Sequence, residues 1–142
     1  MADPRKTESF EGIGAVYATY LIDNSTITYS ASETNGSAQV GLAVTLSAAK
    51  TVALAADAEA VIGKLIRVEA DNRAVVQVAG YMTLPGGDSA TLTLGSKIVG
   101  DLGAASAKGY IRSAASATAA ELAVQSGVIH DAGTTTAVVV KF

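Results

Sequence analysis

From Val40 to the C-terminus the sequence is a succession of short runs rich in Val, Ile, Leu and Thr, each closed off by Gly, Asp, Asn, Ser or Pro. The runs are Val40 to Leu46, Thr51 to Leu54, Val61 to Glu69, Ala74 to Leu84, Lys97 to Gly100, Gly109 to Arg112, Gly127 to His130 and Thr135 to Phe142. Short strand-like runs with turn residues between them specify a mainly β fold, a small β-barrel or β-sandwich. Ala70-Asp71-Asn72-Arg73 reads as a hairpin connection between the two longest runs. Pro85-Gly86-Gly87 reads as a turn in which Pro presets φ and Gly supplies a positive φ.

Two segments carry some helical character. Ser47 to Ala60 is rich in Ala, but Val52, Leu54 and the following Asp57 favour a strand and turn. Thr118-Ala119-Ala120-Glu121 matches a capping box, with Gly127 placed to end the helix after Leu122, Ala123 and Val124. One short helix is therefore expected near residues 119–125.

With 142 residues the chain can bury one real core but not two independent ones. Hydrophobic residues make up 49% and aromatic residues only 5%, with no Trp, so the core must be built from Ala, Val, Leu and Ile. Cys is absent, which excludes disulfides and thiolate metal sites. Thirteen acidic residues against ten basic ones, without a basic stripe, argue against nucleic acid as a partner. The stretch Gly12 to Ile22 is too short to span a bilayer and includes Tyr17, Thr19 and Tyr20. A soluble protein, not exported, made in the cytoplasm and not held in a membrane is expected.

Met1 to Glu11 (MADPRKTESFE) offers only Phe10 for burial, the composition of a mobile arm. Gly12 to Tyr29 (GIGAVYATYLIDNSTITY) favours extended structure but is interrupted by Asp23-Asn24, and reads as either a strand pair or an arm that orders late. The expected division is an arm over 1–29 and a β-rich domain over 30–142, the latter opening on the loop Ser30 to Ser37 with its Asn35-Gly36 turn.

Reactive chemistry is sparse. His130 is the sole histidine, so one chain holds no paired-imidazole metal site and no two-histidine relay; beside Asp131 and before a Gly turn it reads as a strand-end residue. The serines and threonines lack a nucleophile elbow, and any triad would depend on that same His130. Asp57 with Glu59, and Glu69 with Asp71, are carboxylate pairs that flank predicted turns, where solvated charge is the default. Gly12-x-Gly14 and Gly86-Gly87 do not lead into a phosphate-binding helix. The expectation is a protein that is not an enzyme and uses neither cofactor nor metal.

Surplus apolar surface points elsewhere. In the last run Val138, Val140 and Phe142 alternate with Ala137, Val139 and Lys141, so both faces are mostly apolar. Around Val76 and Val78, the residues Ala74, Val75, Ala79 and Tyr81 are not the polar partners a solvent face wants. Such strands are central, or lie against a second subunit; a thick two-layer core in a monomer is the alternative.

The sequence from Val40 onward, VGLAVTLSAAKTVALAADAEAVIGKLIRVEADNRAVVQVAGYMTLPGG, continuing through GSKIVGDLG, GYIRSA and AELAVQSGVIHDAGTTTAVVVKF, resembles the lambda-type head-decoration proteins of tailed bacteriophages. The resemblance lies in Val61-Ile62-Gly63, in Val76-Gln77-Val78-Ala79-Gly80, in the segment Gly95 to Asp101 and in the closing valine strand, more in their order and spacing than in any one motif. It implies a structural virion protein on the outer capsid surface at threefold or quasi-threefold positions. There it would act as a homotrimer that bridges major capsid protein subunits, with an N-terminal arm ordering against the shell.

On that expectation Phe10, Ile13, Val16, Tyr17 and Tyr20 are the capsid-binding arm residues, apolar or amphipathic groups on a segment short of core partners. For Val16 to Tyr20 the other reading is a first strand of the barrel itself. Two rivals remain. A surface-adhesion or carbohydrate-binding β-module would need exposed aromatics near acids or amides, for which Tyr29, Tyr81 and Tyr110 are the candidates. A trimeric β-fold enzyme would need a site shared between subunits.

Overall fold

The computed structural model describes residues 12–115, 118–134 and 137–142. The chain is mainly β, as its strand runs require. The elements in order are β1 (Val16–Ile22), β2 (Ala43–Ala48), β3 (Thr51–Leu54), β4 (Gly63–Val68), β5 (Arg73–Ala79), β6 (Tyr81–Leu84), β7 (Ile98–Asp101), β8 (Tyr110–Ser113), α1 (Ala119–Val124), β9 (Val128–Thr134) and β10 (Ala137–Lys141). No helix among the described residues is long and apolar enough to cross a membrane.

Five strands close a barrel in the order β1-β3-β2-β4-β5. β5 runs antiparallel to β1, with Ala18 across from Val76 and Tyr20 across from Ala74. β1 then meets β3 in parallel at only two positions, Leu21 with Thr51 and Ile22 with Val52. The β4–β5 hairpin turns through Asn72 at φ 61°, a left-handed conformation that Asn tolerates better than most residues. Glu69 N donates to Arg73 O at 2.7 Å and seals that turn.

The barrel corrects one expectation. Val16 to Ile22 is one of its strands, so the arm expected over 1–29 is built into the domain at least from Val16 onward. The Asp23-Asn24 interruption is a constructed turn. Asp23 accepts hydrogen bonds from the backbone N–H groups of Ser25, Thr26 and Ile27 and from the Thr26 hydroxyl, at 2.8 to 3.3 Å. Burial pushes this carboxyl up, but the four donors together hold it below its ordinary value. The turn drops Ile27 fully buried into the barrel core among Val44, Val52, Leu65, Val68 and Val76.

The other strands form a three-stranded sheet, β6-β10-β9, and a two-stranded one, β7-β8. They share a second core of Met82, Leu84, Ile98, Ile111, Ile129, Val138 and Val140, and Ala43 of β2 together with Ala55 and Val61 of the β3–β4 connection pack into it. That sharing ties the two layers together by apolar contact. β10 is the central strand of its sheet, which accounts for its valines: Val138 and Val140 are fully buried, while Ala137 and Lys141 are exposed. The run Ala74 to Leu84, which reads as one strand, is two, broken at Gly80 and divided between the barrel and the β6 sheet.

Local expectations elsewhere are met or adjusted. Ser47 to Ala60 holds the end of β2, then β3 and turns, and no helix. Neither Gly86 nor Gly87 takes a positive φ; Gly86 bridges to Ile111, and the left-handed residue of this turn is Ser89 at φ 58°. The short helix is present as α1, but Thr118 makes no side-chain cap. Glu121, the expected capping partner, is turned to other work.

Candidate functional site

The N- and C-terminal ends of the described chain converge on Gly80 and Tyr81. Gly12 N donates to Tyr81 O and Tyr81 N to Ile13 O, both at 3.0 Å. On the other side Gly80 and Phe142 exchange backbone bonds of 3.2 and 3.0 Å. The Gln77 side chain closes the junction from within, its Nε2 donating to Ala79 O at 3.2 Å and Tyr81 O at 3.1 Å. Only glycine fits at the centre. Gly80 has φ +90°, and a Cβ there would sit 2.6 Å from Ile13 O and from Gly14 C.

This junction presents three of the five residues expected to bind a capsid. Ile13, Val16 and Tyr17 are 55%, 53% and 55% exposed, clustered where β1 begins. The turn Gly12 to Ala15, closed by Ala15 N to Gly12 O at 3.3 Å, and the bulge between Val16 and Tyr17 fix their backbone. Tyr20 differs: it lies half-buried against the barrel core beside Ala74, so its ring is part of the fold and not of the exposed row. Phe10 lies outside the described residues.

His130 packs edge-on against Tyr81, ring centroids 5.0 Å apart at 72°. The carboxylate pairs are engaged in structure. Glu69 bonds Arg67 at 2.8 Å and Asp71 bonds Arg73 at 3.3 Å. Glu59 accepts the Ala56 N–H at 2.9 Å.

Asp57 belongs to a network that the linear sequence does not announce. Arg112 on β8 donates from Nη2 to Glu121 Oε1 at 2.6 Å and from Nη1 to Glu121 Oε2 at 3.0 Å. Its Nε and Nη2 also reach Asp57 Oδ1 at 3.2 and 3.1 Å, and Asp101 stands 3.9 Å away. Glu121 accepts the Ala115 N–H as well, at 2.6 Å. The Arg112 side chain is only 20% exposed. Its hydrogen bonds, followed by that of Ala115, hold the Glu121 carboxyl down to about 2, and Glu121 in turn holds the guanidinium proton more firmly than usual.

Chemically this is a clasp. The turn after β3, β7, β8 and α1 each contribute one member, and three carboxylates around one guanidinium leave it little capacity for a ligand. Sequence reading missed it because the partners are 55, 11 and 9 residues from Arg112. The one available signal was a Glu in the first turn of a predicted helix, and that signal suggested a cap.

No family model, curated protein or solved structure matches this chain.

Proposed function

We propose that the chain is a capsid decoration protein of a tailed bacteriophage, a structural component of the virion. It binds the outer capsid surface at threefold or quasi-threefold positions as a homotrimer and bridges neighbouring major capsid protein subunits. The reading joins the family resemblance to one observation: Ile13, Val16 and Tyr17 stand more than half exposed on a backbone locked to Tyr81. A rigid apolar row loses little conformational freedom when it is covered, so most of its burial energy appears as affinity.

The proposed mechanism is additive. Burying one large apolar side chain is worth about 2 kcal/mol, and a trimer engaging three sites multiplies the gain through effective concentration. Outward pressure on the shell must then break the clamp contacts as well as those between capsid subunits. Mixing the purified protein with undecorated capsids and counting copies bound per capsid tests the reading. Saturation at a fixed stoichiometry per threefold position supports it; no binding at micromolar protein overturns it.

A further inference from the structure

At the Ala74 end of β5, away from the Gly80 junction, a second surface feature is built from two walls. The first is the loop after β1. Ser30 N donates to Gly36 O at 2.8 Å, Gly36 N to Glu33 O at 3.1 Å, and Glu33 N to Ser30 O at 3.2 Å, so the loop is closed by its own backbone. Gly36 lies so close to the end of β4 that a Cβ would collide with the Val68 carbonyl oxygen. Tyr29 Cε2 lies 3.3 Å from the same point, which places the ring against its own loop, 38% exposed. The second wall is the end of β4 and the residue beyond it, where Arg67 Nε and Glu69 Oε1 pair at 2.8 Å.

Between the walls lies a cleft of about 310 Å³ whose lining includes Tyr29, Ser30, Glu33, Asn35, Arg67 and Glu69. The volume is at the lower end of small-ligand pockets and suits one or two sugar units. The side chains are those that recognise a polyol. An aromatic ring offers a flat apolar surface to the C–H face of a pyranose. Asn35 carries both donors and an acceptor, the carboxylates accept from hydroxyls, and the guanidinium donates through a planar fork. Two carboxylates against one guanidinium leave the cleft at a net charge of −1, which disfavours phosphates and acidic sugars.

We infer that this cleft is a binding site for a neutral hexopyranoside, stacked on Tyr29 and hydrogen-bonded through Asn35, Glu33, Glu69 and Arg67. The site is independent of the capsid-binding row. The row lies at the Ala79 end of β5 and the cleft at its Ala74 end, so both surfaces can be engaged at once. A decorated surface carrying many copies would turn weak saccharide binding into avid attachment.

The test is saturation-transfer NMR on the 142-residue chain with methyl glycosides of glucose, mannose, galactose and N-acetylglucosamine. At least one is expected to bind saturably with a dissociation constant on the order of 1 mM. Tyr29→Ala should weaken that binding about tenfold, the loss of one stacking contact, while Tyr29→Phe retains it. Asn35→Gly keeps the left-handed turn that Asn35 makes at φ 59° and removes the amide, so it should also weaken binding, and it decides the matter if Tyr29→Ala does not fold. Leu94→Ala, exposed on the loop before β7 and outside the cleft lining, serves as the unchanged control. If no glycoside saturates, or if the folded variants bind as tightly as the parent, the inference is overturned.

Discussion

Arg112 and Glu121 meet fork to fork, two hydrogen bonds of 2.6 and 3.0 Å joining β8 to the only α-helix among the described residues. α1 is six residues long, too short to persist on its own. Its position depends on this pair and on Ser126 just past its C-terminal end, which bridges to Ile98 and donates from its hydroxyl to Val61 O at 2.7 Å.

Replacing Arg112 with Met keeps much of the side-chain volume but leaves three carboxylates facing one another. The expected result is destabilisation well beyond the about 0.5 kcal/mol of an ordinary surface substitution. Urea denaturation would measure it, and amide exchange should rise first in α1. Unchanged stability would mean that apolar contacts alone hold the helix.

Acid should weaken the fold through two identified carboxyls. Glu121 ionises near 2 in the folded chain against an ordinary 4.5, so its contribution is complete above about 4.5 and disappears as pH falls toward 2. Asp23 is also lowered from its ordinary 3.8, and what it contributes is lost on the same acid side. Denaturation midpoints measured from pH 7 downward should therefore fall off below about 4.5. In Arg112→Met the Glu121 part of that decline should flatten.

Two glycines with similar positive φ should respond differently to alanine. Gly80 at φ +90° is crowded by Ile13 and Gly14, whereas Gly95 at φ +78° has nothing within 4 Å of a new Cβ. Gly95→Ala should cost about 1 kcal/mol of backbone strain, and Gly80→Ala more than about 2 kcal/mol, because the start of β1 must also move. Thermal melts of the pair give the comparison.

For the capsid reading, Ile13→Ser and Tyr17→Ser should leave the melting curve within about 0.5 kcal/mol of the parent, since neither side chain is buried. Each should weaken capsid binding about tenfold or more per site. Tyr20→Ser should do the reverse, lowering stability through the barrel core. Equal capsid affinity in all three variants would remove the exposed row from the interface.

The strands from Val40 onward were legible because their causes are local. β-branched runs favour extended backbone, and Asn, Asp and Gly stop them, so Thr51 to Leu54 emerges in the fold as it reads in the sequence. The short helix was legible in place though not in its cap. What the linear order could not convey is pairing between distant segments. β1 looked like an arm because its partners, β5 and β3, lie about thirty or more residues away in the chain. Gly80 looked like one more strand residue until the close approach of Ile13 and Gly14 gave a reason for glycine and for splitting the run between two sheets. Tyr29 was visible as an aromatic, but only tertiary structure brings it into the lining of one cleft with Arg67 and Glu69. Side-chain chemistry and turn propensity are written residue by residue; the sites arise where hydrogen bonding and burial bring remote residues together.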